Sequence, residues 1–413
     1  MTATSASPNY RGLLLVSVAT LILTITMGVR QTTGLFVLPI VTTTGVGIAS
    51  ISFALAIGQF VWGAAQPVFS IMADKYGAPI VIALGGITMA VGYALTPLAH
   101  SEIGLMVTMG LLMAAGAGAG SFSVLIGATA TRLGPEKRSF ASGVINAGGS
   151  FGQFLFAPLA QFIISAWSWA TGMYVLAVAT LLTIPLAWLL RAPRGASLQS
   201  ADAAKPAAAA KGGVKAQIQR AMHDRNYLLL HVGFFTCGFH IAFLVTHFPS
   251  DLQLCGLAPS VAAYSIALIG LFNVVGSLGA GWLGQRYQMK NILFFIYASR
   301  AVLIVIYLLM PKTAFNVYLF AASLGLTWLA TVPPTAGIIG KLFDVRYLGT
   351  LFGLTLFSHQ VGGFMGAWLG GIAMAQLGSY DWVWYADIIL ALLAAFSNLP
   401  IREPRLGAQP AMA

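Results

Sequence analysis

Only a handful of polar side chains in this sequence could do chemistry, and most of them interrupt long apolar runs. Arg30 stands in the first run and is followed by Gln31, Thr32 and Thr33. A guanidinium keeps its charge and offers a planar fork that matches a carboxylate. Arg30, with Gln31 beside it, is therefore the leading candidate to bind an anion. His240 lies 210 positions further on in a comparable run, and His359 sits in the middle of another. Imidazole titrates near neutrality, so either ring could hold an anion when protonated and release it when neutral. With Asp387 in the final run, they are the candidates for exchanging a proton. Trp328, Thr331 and Thr335 (T-W-L-A-T-V-P-P-T) could shape a small pocket, as could Asn146 and Gln153. Each has a plainer alternative. Arg30 could snorkel to an interface, the histidines could be hydrogen-bonded partners in a bundle, and the others could pack or bond between helices. Arg300 is read as structural, a partner for Asp387; His231 and His247 fall nearer helix ends.

The elements that position these residues follow from composition. Hydrophobic residues make up 58% of the 413 positions and charged residues 8%, with a mean hydropathy of +0.85. A soluble protein carries roughly a quarter charged residues, so lipid is the better solvent for most of this chain. A helix needs about 20 apolar residues to cross the hydrocarbon layer. Twelve runs qualify, near 12–38, 47–70, 79–98, 103–129, 140–165, 168–190, 226–248, 258–284, 291–310, 314–340, 347–375 and 382–400. They are too long and too uniformly apolar for barrel strands, which leaves an all-α membrane protein. The polar start, M-T-A-T-S-A-S-P-N-Y, carries no sign of a cleavable signal peptide. Cys237 and Cys255, one inside a run and one in a loop, indicate neither a disulfide framework nor redox chemistry. No metal-ligand cluster, Ser/His/Asp arrangement or nucleotide loop is visible, so neither catalysis nor a cofactor is expected.

The net charge of +11 reports topology. If the N-terminus is cytoplasmic, 18 of the 21 Lys and Arg residues fall in the tails, the central connection and one alternating set of loops. The opposite loops hold only Lys312. This is the positive-inside pattern, and it argues against nucleic acid as a partner. It predicts a multi-pass protein of the cell inner (plasma) membrane with both termini cytoplasmic. Residues 192–225, rich in Ala and Lys and ending in V-K-A-Q-I-Q-R-A-M-H-D-R-N, read as a linker on the cytoplasmic surface. It divides the chain into six-helix bundles at 1–191 and 226–413. An internal repeat supports the division. Gly28, Arg30 and Pro39 recur as Gly238, His240 and Pro249, Asp74 as Gln285, and Gly152 as Gly362, all at offsets of 210 or 211.

The stretch S-I-M-A-D-K-Y-G, residues 70–77, resembles the G-x-x-x-D-[RK]-x-G loop signature of the major facilitator superfamily, with Ser70 replacing the first Gly. The second-half copy, G-W-L-G-Q-R-Y-Q-M-K, has Gln285 where an acid is frequent. The resemblance covers essentially the whole chain. It implies the major facilitator fold, 12 transmembrane helices in two pseudo-symmetric six-helix bundles, and transport by alternating access. It also implies that Asp74, Lys75 and Arg138 belong to a cytoplasmic gate, helix capping and topology being their alternative role. Within the superfamily, G-V-R-Q-T-T-G-L-F-V-L-P, L-G-P-E-K-R-S-F-A-S-G and S-H-Q-V-G-G-F-M-G-A-W-L-G-G are similar to the bacterial monocarboxylate and oxalate:formate transporter group. That similarity implies substrate contact near Arg30 and places His359 where a basic substrate-binding residue is expected. The group's oxalate carriers also place an Arg in helix eight. Here L-F-N-V-V-G-S-L-G offers Asn273 and Ser277 instead, which argues against the dianion oxalate itself.

Together these readings predict secondary transport of a small organic anion, a monocarboxylate, by proton symport or anion exchange. The partners expected are that anion, a proton or counter-anion and membrane lipid, and the assembly expected is a monomer. One alternative is a proton-coupled drug or metabolite efflux antiporter, which needs a membrane carboxylate and would have Asp387 for it. The other is a membrane sensor on a transporter scaffold, for which a soluble signalling domain would be expected.

Overall fold

The computed structural model describes residues 9–130, 133, 135–191, 213–343 and 347–403. Among them every regular element is a helix, and ten helices are long and apolar enough to cross a membrane. The chain divides into two compact units, Met1–Pro206 and Ala207–Ala413.

In the first unit the opening run is not the single helix that its hydropathy predicts. Helix α1 (Asn9–Gln31) stops immediately after Arg30, and α2 (Gly34–Thr44) restarts two residues later. The hydroxyls of Thr32 and Thr33 donate to the carbonyls of Val29 and Arg30, at 2.7 and 3.0 Å. The hydroxyl of Tyr93 adds a second donor to the Val29 carbonyl at 3.1 Å. Local side-chain bonds of this kind compete with the helical ladder. The remaining spans are α3 (Ile48–Tyr76), α4 (Ala78–Leu95), α5 (Glu102–Thr129), α6 (Pro135–Ala166) and α7 (Trp169–Leu189). Within α5 the stretch Met106–Met113 is wound as a π-helix.

The second unit begins with α8 (Gly213–His223), the part of the expected linker that falls among the described residues. Its Ile218 and Ala221 pack against the apolar core of this unit while Lys215 and Arg220 stay exposed. Residues 192–212 lie outside the described residues. Then come α9 (Arg225–Leu254), α10 (Pro259–Leu283), α11 (Met289–Leu309), α12 (Ala314–Leu342), α13 (Leu348–Leu377) and α14 (Asp381–Asn398). The last two are not among the ten most apolar helices, because α13 carries many glycines with Ser358, His359 and Gln360, and α14 carries Asp381 and Asp387. They complete six spans in this unit, as α1–α7 do in the first.

Helix α12 is broken over residues 328–331, between Ala314–Thr327 and Val332–Leu342. Pro333 and Pro334 follow the gap and have no N–H to return to the preceding turn. Upstream of the gap, the carbonyls of Thr327 and Trp328 accept from Arg300 Nη2, at 2.6 and 3.2 Å. The N–H of Leu329 donates to Asn273 Oδ1 at 3.0 Å. At the basic-rich end of the same unit, Lys341 pairs with Glu403 at 2.5 Å. The Lys290 ammonium donates to the carbonyls of Leu399 and Ile401, where a cation meets the negative end of α14.

The repeated glycines mark where helices cross. Helix α1 packs along α6, and α9 along α13. A β-carbon added to Gly152 would sit 2.1 Å from the Thr24 carbonyl oxygen, and one on Gly362 would sit 2.0 Å from that of Phe235. Between helices in lipid, close backbone contact at small residues supplies much of the attraction. Glycines on open faces of α13, such as Gly353, have no neighbour within 4 Å. Gly362→Ala is therefore expected to destabilise the protein by about 1–3 kcal/mol through overpacking. Gly353→Ala is expected to be neutral or stabilising by about 0.4–1 kcal/mol. Thermal unfolding of both variants in detergent measures the difference, and equal midpoints would contradict it.

Candidate functional site

In the first unit the centre is Arg30, placed in the last turn of α1 by the break that follows it. Its Nη2 donates to Gln59 Oε1 on α3, and its guanidinium carbon lies 4.1 Å from the centroid of the Trp62 ring. An arginine over an indole face gains cation–π attraction. Among the described residues no carboxylate pairs with it. Arg30, Gln59 and Trp62 are each half-buried. A cavity of about 30 Å³ is lined by Arg30, Thr33, Gln59, Tyr93 and, from the π-helical stretch, Met109 and Met113. The pocket is open on one side, where a solute can meet the guanidinium. π-Helical turns are frequent at functional sites.

Gln59, Trp62 and Tyr93 were not singled out by the sequence reading. A signal for two of them exists: Gln59, Trp62 and Gln66 recur at i, i+3 and i+7 in an otherwise apolar helix, which puts them on one face. Gln31 is buried in the same unit. Asn146 lies exposed on α6. Gln153 is buried on α6, with both amide atoms lacking hydrogen-bond partners among the described residues.

In the second unit the structure gathers His240, Trp328, His359 and Asp387 with Cys237, Arg300 and Thr331. His240 Nδ1 and Asp387 Oδ2 are 2.5 Å apart, and both side chains are fully buried. Asp387 thus pairs with His240 and not with Arg300, which corrects the expectation from sequence. Arg300 instead secures the broken turn of α12, a structural duty consistent with its position. The Trp328 ring lies 5.8 Å from that of His240. Cys237 Sγ is 3.5 Å from Thr331 Oγ1 and lies beside His359. His359 is half-buried, its backbone carbonyl pressed against Gly238. His231 bonds Ser358 Oγ at 2.6 Å, and His247 Nε2 donates to the Ala367 carbonyl at 2.7 Å. Both have ordinary hydrogen-bonding roles.

A further carboxylate, passed over in the sequence, is built into α9. Asp251 Oδ2 accepts from the Tyr307 hydroxyl at 3.0 Å and from Trp384 Nε1 at 3.3 Å, which ties α9, α11 and α14 together at the basic-poor end. Lys312 lies over the Tyr307 ring nearby. Partial burial pushes its ammonium pKa down, against the pull of Cys255 and Asp251. Of the expected gate residues, Lys75 is exposed above Tyr76. Asp74 and Arg138 lie in helical backbone whose side chains fall outside the described residues.

The family profile described as Major Facilitator Superfamily matches residues 18–367. Monocarboxylate transporter 13 of Rattus norvegicus is 26% identical over 86% of this chain and 80% of its own length. The oxalate:formate antiporter of Oxalobacter formigenes is also 26% identical, over 94% of this chain and 91% of its own. Among solved structures, the nucleoside transporter NupG has a TM-score of 0.78 at 14% identity, covering 95% of this chain and 99% of that one. A bacterial homolog to human lysosomal transporter Spinster gives 0.73 at 16% identity, covering 95% and 97%. Likeness at such identities speaks for the fold alone. The profile match over most of the chain, joined to two sets of six membrane-spanning helices, shows that this multi-pass membrane protein belongs to the Major Facilitator Superfamily of transporters.

Proposed function

We propose that the protein is a secondary transporter of small organic anions, monocarboxylates foremost, working by alternating access with proton symport or anion exchange. Arg30 carries this reading. A charge at membrane depth needs partners, and this one has a neutral amide and a ring face but no resident carboxylate among the described residues. Such a guanidinium is suited to a counter-charge that comes and goes. Relatives named for monocarboxylates and for oxalate and formate support the same substrate class. Asn273 and Ser277 favour a monoanion over a dianion: Asn273 Oδ1 already accepts from Leu329 N–H and the Ser277 hydroxyl, and α10 adds no cation. Gln31 and Asn146 of the first unit and Trp328, His240 and His359 of the second remain proposed substrate-binding residues, with Asp74, Lys75 and Arg138 as the proposed cytoplasmic gate. The asymmetry of basic residues supports an inner-membrane protein with both termini in the cytoplasm.

Purified protein in proteoliposomes is expected to show saturable uptake of labelled lactate, pyruvate or formate. Absence of uptake for every organic acid, with cation transport intact, would reject the anion reading. It would favour efflux, for which the half-buried Asp251 and the buried Asp387 supply the carboxylates.

A hydrogen bond to a charged group contributes about 1.5–3 kcal/mol, or roughly 10- to 150-fold. Arg30→Gln is thus expected to lower kcat/KM for a carboxylate by about that factor, with Arg30→Lys in between because it keeps the charge and loses the fork. Initial-rate uptake across substrate concentrations measures both, and unchanged kinetics in Arg30→Gln would remove Arg30 as the anchor.

A further inference from the structure

The second unit buries a cluster of charged and titratable side chains of its own. His240 on α9, Arg300 on α11 and Asp387 on α14 have no solvent exposure. His240 Nδ1 donates to Asp387 Oδ2 at 2.5 Å, and Arg300 faces the same imidazole. His240 Nε2, Asp387 Oδ1, and Nε and Nη1 of Arg300 have no hydrogen-bond partner among the described residues. Buried polar groups are nearly always bonded, and an exception in a native structure needs a reason.

The reason is found in the charge balance. With Nδ1 donating, a neutral imidazole keeps a lone pair on Nε2. Arg300 and Asp387 then cancel and the group is neutral. One proton added to that lone pair makes an imidazolium and a net charge of one; its return to water reverses the step, and no other bond breaks. Full burial opposes the charged ring first of all; of the two neighbours, Asp387 attracts the incoming proton and Arg300 repels it. Other titratable groups of this cluster are Cys237, one turn earlier on α9, Tyr297 on α11, which faces Cys237 and Arg300, and His359 on α13, beside Cys237. From α12 come the uncharged Trp328 and Thr331, and the single titratable side chain of α10 is the exposed Tyr264.

We infer that the His240–Asp387 pair, balanced by Arg300, is where this transporter takes up and releases the proton that accompanies its substrate. The inference rests on the substrate reading above, because a monovalent anion entering with one proton leaves the total charge of the protein unchanged.

Trp328 stands beside the imidazole, and an imidazolium quenches a neighbouring indole. Fluorescence of the full chain in detergent is therefore expected to fall as the pH is lowered. The step is lost in His240→Gln and in Trp328→Phe. It moves to higher pH in Arg300→Gln, which can still donate to the α12 carbonyls but no longer repels the proton. A step that persists in His240→Gln, or that is missing from the wild type, overturns the inference. In proteoliposomes, Asp387→Asn is expected to keep carboxylate exchange without a pH gradient and to lose accumulation driven by one. Undiminished accumulation in Asp387→Asn also overturns it. If the wild type carries no carboxylate, the substrate reading falls and the fluorescence titration alone decides the proton site.

Discussion

Inside a bundle surrounded by lipid, a backbone carbonyl released from its helix has no water to turn to. Every departure from regular winding must therefore be met by a side chain from the protein itself. The two interrupted spans show this constraint at work. After Arg30 the ladder is replaced by Thr32, Thr33 and Tyr93 hydroxyls, and in α12 by Arg300 and Asn273. Each break gathers polar groups, and each candidate site lies next to one. The chemistry of this protein is located where its helices fail to be continuous.

The duplicated scaffold has been put to different uses in its two halves. Arg30 and His240 hold equivalent places in the repeat, yet their surroundings diverge. Arg30 has neutral Gln59 and the Trp62 face, whereas His240 is locked to Asp387 in full burial. Among the described residues one half keeps a cation without a resident anion, and the other keeps a pair whose charges can cancel. The crossings that support them stayed alike. Thr24 lies on Gly152 in the first unit, and Phe235 on Gly362 in the second.

Much of this fold was legible in the sequence because lipid asks a simple question of a chain, whether a run is long and apolar enough. The fixed offset between Gly28 and Gly238, and between Gly152 and Gly362, pointed to glycines that the structure places at tight crossings. What could not be read depended on how helices are rotated about their axes. Asp387 faces His240 rather than Arg300 because of that rotation, and the two residues are 147 positions apart. The same holds for Gln59 and Trp62 beneath Arg30. The interruption after Arg30 was hidden for another reason. A pair of threonines can satisfy a helix or compete with it, and composition does not distinguish the outcomes. Asp251 escaped notice because it lies near the end of α9, where a charge reads as loop-facing until Tyr307 and Trp384 are seen to enclose it.

The gap in α12 has a mechanical consequence. Val332–Leu342 is a short rigid rod, stiffened at its start by two prolines. Its near end rests on a fulcrum made by the carbonyls that Arg300 holds. Its far end is tethered through Lys341 to Glu403, which also accepts from the Lys290 N–H. Such a lever cannot tilt alone: its swing either carries the segment after α14 with it or snaps the Lys341–Glu403 tether.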